Sequence, residues 1–392
     1  MKKKLLCLGL AGLSMLGLAS CDSDNPYTYK YTYKVIVVDI DGEELLNRNF
    51  NTNSHSEVRA EIKEYTSVSG TDDLLTGFNL KSIAGSVIDS NYELAIYENG
   101  NKFDFGIDDL YVDDGDVFEF KVECWNSVAS GYGKLDSNDI LLDKAFYHYV
   151  KKQMPTVLKN GETFDSSDYW TYMMISLMKN NGYSPALFNT NKASQSIITS
   201  IKKQTESTLT GVSVGKYYYI ARALGIDLTE FKEAYINYLS NITEYGEYGE
   251  FLRPFDISPA YTLGYSDNVN SKVKTPEYTP STEYGYDGYS WYVASTALFN
   301  DYNSNSFDLP LEDQGNLSSN ACLLMAHAAL NNSAKELADI MVTNYYDEAS
   351  GYLLYQANSE EGISFASANQ ANAGIAAYKV QRDKNIAANI FE

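Results

Sequence analysis

The fold of the N-terminal part of the chain is decided by residues 91–122, NYELAIYENGNKFDFGIDDLYVDDGDVFEFKV. A two-residue hairpin turn is predicted at residues 98–101, ENGN, because Asn and Gly both tolerate the positive φ of a type I′ turn. It would join strands at 92–97 and 102–106. A second turn at residues 113–116, DDGD, precedes alternating side chains over residues 117–122, the period of a half-buried strand. The stretch therefore predicts a small antiparallel sheet.

A first hairpin and a helix are predicted before this stretch. Residues 30–40 alternate Tyr and Thr before VIVV, and the Asp-Gly pair at 41–42 turns the chain into a second strand that ends near residue 50. Apolar residues then recur at helical spacing over residues 54–65, with Ser54 and Ser56 as candidate N-caps. A hairpin, a helix and further strands in this order are typical of a β-grasp.

Together with KSIAG at residues 81–85, these elements resemble the small β-domain of the cobalamin carriers transcobalamin and intrinsic factor, and the bacterial domains like it. The matching positions are Ser82, Ile83, Gly85, Tyr97, Asn99, Gly100, Gly106, Gly115 and Asp116. The resemblance implies a β-domain over residues 30–125, a linker over 126–136 and a corrinoid such as cobalamin as ligand. The β-domain would come first in this chain, which reverses the domain order of the carriers. The two domains can still close one cleft, because the linker need only reach between them.

The N-terminus predicts a lipoprotein signal. A basic start at residues 2–4 precedes an apolar run, residues 5–18, that is too short to span a bilayer comfortably. The residues before and at Cys21, LASC, fit the bacterial lipobox, in which the Cys thiol is acylated. We therefore expect a signal peptide at 1–20, a tether at 21–29 and a membrane-anchored protein on the extracytoplasmic side, at the cell surface or the periplasmic face.

The remaining cysteines and the acidic clusters do not predict a metal site. Cys124 and Cys322 lie in different predicted domains, so neither a disulfide framework nor a zinc spacing exists. The acids at residues 39–43 and 113–116 lack the full ligand spacing of a calcium loop and are interpreted as turn residues.

The composition excludes one class of partner. The formal charge is −22, whereas phosphate binding needs a basic surface, so a nucleic-acid partner is not expected. The chain also has 34 tyrosines. Tyr suits binding surfaces because it offers a flat apolar body with a hydroxyl group. Strand propensity and codon bias explain the same content, and the sequence leaves both readings open.

Residues 137–392 predict a helical domain with a repeat. Segments with a small polar entry, then aromatic and small residues, recur about every 32 to 48 residues, the scale of helix-pair repeats. They are residues 166–178, 211–224, 257–265, 288–299, 317–330 and 364–378. The pattern resembles an α/α-toroid of prenyltransferase-like repeats, which is also the other domain of the cobalamin carriers. Six repeats suggest a closed ring, so the fold class expected is α+β with two domains.

Outer helices and site-bearing loops complete this prediction. Amphipathic candidates for the outer layer lie at residues 193–206, 228–242, 334–345 and 379–391. Two stretches, 267–285 and 301–314, interrupt the repeat, and long loops on a rigid scaffold often carry the site.

No complete catalytic constellation is found, so the protein is not predicted to be an enzyme. The aspartate-rich motif of terpene cyclases, the zinc residues of prenyltransferases and the phosphate, Ser-elbow and dinucleotide motifs are absent from the sequence. His148 and His327 are interpreted as packing residues rather than as a base or a ligand. Asp287 and Asp168 are the best single carboxylates for glycoside chemistry, but neither has an assignable partner.

Two main functions are considered. The first is a lipid-anchored binding protein that holds a corrinoid between the β-domain and the helical ring, with a transporter left open as a further partner. The second is a polysaccharide-binding or polysaccharide-degrading protein. A scaffold module without a small ligand is a further alternative. The ligand contacts predicted are Tyr284, Tyr286, Asp287, Tyr289, Trp291, Asn369, Gln370 and Asn99. No covalent cofactor and no metal are predicted.

Overall fold

A computed structural model describes residues 29–73, 77–127, 134–154, 168–188, 211–226, 255, 258–264, 267, 282, 285–299, 307–357 and 365–392. Several predictions fall outside these residues: the signal peptide, Cys21, most of the linker, the outer helices at 193–206 and 228–242, Tyr284 and the side chain of Asp168. No helix of the described ranges combines the length and hydropathy needed to cross a membrane. The protein is a mixed α+β structure.

The N-terminal region is built on one mixed sheet. Its strands are β1 (Tyr31–Val38), β2 (Glu44–Thr52), β5 (Tyr92–Glu98), β6 (Asn101–Lys102) and β7 (Val117–Cys124). They lie in the order β2-β1-β7-β5-β6; β1 runs parallel to β7, and the other neighbours are antiparallel. A second hairpin pairs β3 (Val68–Asp73) with β4 (Gly77–Ile83). Helix α1 (Val58–Lys63) packs its buried residues against the same core.

The alternation of side chains makes this sheet half-buried. In β1, Tyr33, Val35 and Val37 point into the core, and in β7 Phe118 and Phe120 do the same. The turn predicted from ENGN is confirmed, since Asn99 and Gly100 have φ of 52° and 81°.

Two predicted elements are shorter than expected. Helix α1 has Glu57 at its N-cap with no side-chain cap, because the Ser56 hydroxyl donates to the Glu61 carboxylate instead. The strand predicted at 102–106 ends at Lys102, because the chain turns to bury Ile107 in the core.

The C-terminal region contains the helices α2 (Ser137–Lys152), α3 (Asp168–Asn180), α4 (Gly211–Leu224), α5 (Asp287–Thr296), α6 (Leu317–Ala329), α7 (Lys335–Tyr345) and α8 (Phe365–Lys384), and residues 258–262 are also helical. Helices α3, α4, α5, α6 and α8 and residues 258–262 lie on the six predicted repeat segments, and α7 lies on the outer helix predicted at 334–345. A small hairpin of Tyr346–Asp347 and Tyr352–Leu353 follows α7. The outer helix predicted at 379–391 is wrong. Lys379 still belongs to α8, which ends before Asn385 in the left-handed region at φ 54°, and Ile390 and Phe391 are buried in the core.

Small residues allow the inner helices to approach closely. Helix α8 packs against both α6 and α3, α3 packs against α4, and α5 packs against α6. Every residue of α6 is buried. A Cβ on Gly374 of α8 would lie 2.1 Å from the carbonyl oxygen of Ala321 in α6, so this crossing requires glycine. Helices α2 and α7 pack on each other and against this layer.

Buried charges join the β region to the helices. Lys379 Nζ of α8 lies 3.0 Å from Asp89, 3.1 Å from Asp143 and 3.0 Å from Asp383. Arg382 donates to Asp143 at 2.9 Å. We call these five residues the junction cluster. Because Asp89 belongs to the β region, Asp143 to α2 and the others to α8, the cluster fixes the β region against the helical layer.

A second set of ion pairs extends this contact. Lys151 of α2 lies 2.9 Å from Asp39 and 2.7 Å from Asp41, and His148 Nδ1 lies 3.2 Å from Asp41. The acids at 39–43 therefore meet cations of α2.

Candidate functional site

Aromatic side chains from separate helices meet between α3 and α5. The rings of Trp170 and Trp291 are 5.2 Å apart, and Phe255 lies 6.2 Å from Trp291 and 4.9 Å from Tyr169. We call Tyr169, Trp170, Phe255 and Trp291 the aromatic floor. Trp291 stays partly exposed, whereas the other three are buried. The floor therefore offers apolar surface at one partly open position.

Asp287 stands beside this floor as the first residue of α5. Its side chain is largely enclosed, and its Oδ1 has no hydrogen-bond partner among the described residues. Burial raises the pKa of the Asp287 carboxyl, and the Ser319 hydroxyl offsets this only in part. A buried carboxylate oxygen without a donor is costly, so this position favours either the neutral carboxyl or a water or ligand that donates to it.

Cys322 brings three predicted positions together. Trp291 donates its indole N–H to Cys322 Sγ at 3.4 Å, and Gln370 donates its amide N–H at 2.9 Å. Burial raises the pKa of the Cys322 thiol well above its ordinary value, and the charge of Asp287 adds to this. Asp287, Trp291 and Gln370, three of the predicted ligand contacts, therefore lie around one thiol, whose raised pKa keeps it neutral.

Lys216 is a site residue that the sequence reasoning missed. Its Nζ lies 4.6 Å from the ring centre of Tyr169 and 5.7 Å from that of Phe255, and within the described ranges it has no ion-pair partner. Burial lowers the pKa of the Lys216 ammonium. The sequence did contain a signal for Lys216, because it is the one Lys in the predicted inner helix GVSVGKYYYIARAL.

These polar groups share one end of the helical layer. Lys216, Asp287, Ser319 and Gln370 each lie within the first two turns of α4, α5, α6 and α8, respectively. We call these four residues the rim. The rim combines a cation, a carboxylate and two neutral polar groups around the aromatic floor.

Three other predicted contacts have structural partners. Asn369 is buried and its Oδ1 accepts from the Tyr149 hydroxyl at 2.8 Å. The Tyr289 hydroxyl accepts from the Asp308 backbone at 3.3 Å. Tyr286 is partly buried, and its ring lies 6.1 Å from that of Tyr289, next to Asp287 in the chain. Of the three, Tyr286 is the one available to a ligand beside the rim.

The structure does not bring Asn99 to this cluster. Its amide donates to Asp116 at 2.9 Å and its Oδ1 accepts from the Val117 backbone at 2.9 Å, so the side chain holds the hairpin turn. The junction cluster also lies away from the rim, since Lys379 follows Gln370 by nine residues, about 14 Å along α8.

The two candidate histidines are held by protein contacts. His148 pairs with Asp41 and packs edge-on against Tyr352 at 4.5 Å. His327 is buried, its Nε2 lies 3.4 Å from the Pro310 carbonyl oxygen, and burial lowers its pKa. Across the described ranges, no group of three or more His, Cys, Asp or Glu side chains is arranged to hold a metal ion.

The described contacts of Asp287 and Cys322 define what groups the site offers. Asp287 has no second carboxylate or His beside it among its described contacts, and the neighbouring thiol is held protonated. An apolar floor edged by a few oriented polar groups is the usual composition of a small-molecule site. Comparison with known proteins found no family, no curated protein and no solved structure that matches this chain.

Proposed function

We propose that the protein is a lipid-anchored binding protein that holds a bulky small molecule, a corrinoid, on the aromatic floor and rim. The observation that carries this proposal is the buried Oδ1 of Asp287, which lacks a donor among the described residues, while Trp291 and Gln370 meet at the neighbouring Cys322. A protein gains no stability from such a group, so a ligand that donates to it explains its presence.

The chemistry of a corrinoid fits these groups. Its rim of primary amides supplies N–H donors for the Asp287 carboxylate and carbonyl acceptors for the Lys216 ammonium. Its apolar edge would pack on the partly exposed indole of Trp291. No coordinating His is required, because a corrinoid held by its periphery keeps its axial ligands.

The proposed fold is a β-grasp-like domain over residues 30–125 followed by an α/α-toroid over 137–392. The parallel pairing of β1 with β7 and the position of α1 support the first. The second is supported by α8, which packs against α6, the preceding inner helix, and also against α3, the first one. In this arrangement the β-domain braces α2 and α8, and the ligand sits on the rim rather than against the Asn99 hairpin.

The anchor at Cys21 is part of the proposal. Acylation of Cys21 would hold the binding domain at the extracytoplasmic membrane face, where a ligand can be captured. Cys21→Ser should abolish metabolic palmitate labelling, and labelling that survives in this variant would remove the anchor from the proposal.

Titration calorimetry with cobalamin tests the ligand. We expect saturable binding by the wild type, and Trp291→Ala and Tyr286→Ala should each weaken it by about 1 to 2 kcal/mol, roughly fivefold to thirtyfold. Trp125→Ala is the matched control, since Trp125 is 46% exposed on the β region and lies away from the floor.

Two outcomes would overturn the assignment. Unchanged affinity in Trp291→Ala and Tyr286→Ala, with circular dichroism spectra like the wild type, would move the site elsewhere. Absence of cobalamin binding together with hits on a glycan array would replace the corrinoid by a polysaccharide.

A further inference from the structure

A second cavity lies at the opposite end of the inner helices. It has a volume of about 520 Å³ and is lined by the last turns of α3 and α4 and by residues 386–392. Its lining includes Ser176 and Asn180 of α3, Arg222 of α4 and Glu392. None of the rim residues lines this cavity, and the rim lies in the first two turns of its helices, so the cavity is separate from the corrinoid site proposed above.

Arg222 gives this cavity a positive charge that lacks a direct ion-pair partner among the described residues. Its Nη1 is buried, and within the described residues it has no hydrogen-bond partner and no carboxylate in ion-pair contact. An enclosed guanidinium nitrogen without an acceptor is costly. The planar guanidinium of Arg222 can donate to both oxygens of a carboxylate. An anionic ligand from outside the chain would therefore supply the missing acceptor.

The other lining groups limit the ligand further. Within the described part of the chain, the Asn180 amide and the Ser176 hydroxyl have no side-chain hydrogen bond, so both are available to hydroxyl groups of a ligand. The Asn181 amide is not, since it donates to the Leu177 carbonyl at 2.9 Å. Glu392 and the C-terminal ends of α3 and α4 are negative, and they disfavour a dianion.

We propose that this cavity binds a small monocarboxylate that carries hydroxyl groups, such as a sugar acid. Arg222 takes the carboxylate, and Asn180 and Ser176 bind the hydroxyls. The volume accommodates a ligand of this size with room for a second ring.

Titration of the full chain with glucuronate, glucose and inorganic phosphate tests the proposal. We expect saturable glucuronate binding, with glucose and phosphate at least about tenfold weaker. Arg222→Gln should weaken glucuronate binding by about tenfold or more, and Arg222→Lys, which keeps the charge but loses the fork, should give a smaller loss. Arg48→Gln, an exposed position on β2, is the control with the same change of charge.

The result that overturns the proposal is distinct from failure of the corrinoid site. Absence of glucuronate binding, equal binding of phosphate, or Arg222→Gln and Arg222→Lys proteins that both bind as the wild type would refute it. Trp291→Ala should leave glucuronate affinity unchanged. This variant therefore distinguishes a loss of the corrinoid site from a loss of the site at Arg222.

Discussion

The junction cluster and the rim both bury charged side chains, but only the junction cluster pairs them. Lys379 meets three carboxylates within about 3 Å, whereas Lys216 rests on aromatic rings without a carboxylate among the described residues. Asp383 has the cations Lys379 and Arg382 beside it. Among the described residues, the partner of the Asp287 carboxyl is the hydroxyl of Ser319. The two regions thus share residue types and differ in their partners.

The pKa directions show what this difference does. Burial alone would raise the pKa of both carboxyls. The cations of α8 overcome burial at Asp383 and hold its pKa well below the ordinary range, while the pKa of Asp287 stays raised. The junction cluster therefore favours the charged, folded state at neutral pH, whereas burial at the rim disfavours the charged form of Asp287.

The largest effect is expected from Lys379→Met. This change leaves Asp89, Asp143 and Asp383 buried with only Arg382 to compensate them, so we expect a loss of about 3 to 5 kcal/mol in the free energy of unfolding. Urea denaturation at pH 7 measures it.

Lys102→Met is the control for this change. The Lys102 side chain is 48% exposed and pairs with the equally exposed Glu93 at 3.0 Å, so its loss should cost less than about 1 kcal/mol. Equal losses in the two variants would show that the junction cluster is no more stabilising than a surface pair.

Acid should weaken the junction cluster next. Because the folded pKa of Asp383 is depressed, its contribution is present above the unfolded value of about 3.9 and is lost as the pH falls toward the folded one. Lys379 has a raised pKa, so its contribution is present below about 10.4 and is lost only at higher pH. Urea denaturation between pH 3 and 7 should show falling stability for the wild type and a flatter curve for Asp383→Asn. Parallel curves would contradict this.

The elements of the fold were largely readable from the sequence. Period-two alternation located β1 and β7, the ENGN turn located the hairpin, and helices lie on all six predicted repeat segments. These signals are local, since each depends on neighbours along the chain. The C-terminal segment after Lys384 was misread because its burial depends on tertiary packing, which amphipathic spacing does not report.

The site was readable only in part. Aromatic and acidic residues at the start of a predicted inner helix pointed to Asp287 and Trp291, and Gln370 was predicted with them. Cys322 and Lys216 were not, because their roles arise from contacts between helices far apart in the chain. Asn99 was predicted as a ligand contact, although its turn geometry already accounts for it.

The smallest effect is expected from Asn99→Ala. The change removes two side-chain hydrogen bonds and places Ala at φ 52°, so unfolding should become easier by about 1 kcal/mol. Cobalamin affinity should stay as in the wild type. A fall in affinity without loss of stability would return the hairpin to the ligand site.

The most direct test of the account compares Asp143→Asn with Asp287→Asn by urea denaturation at pH 7. Asp143→Asn leaves Lys379 and Arg382 short of a partner and should destabilise the protein by about 3 kcal/mol. Asp287→Asn removes a buried charge that has no cation among its described contacts, and should stabilise the ligand-free protein by up to about 1 kcal/mol. Opposite signs are the predicted result. Destabilisation by both variants would contradict the proposal that the Asp287 carboxyl lacks a partner until a ligand binds.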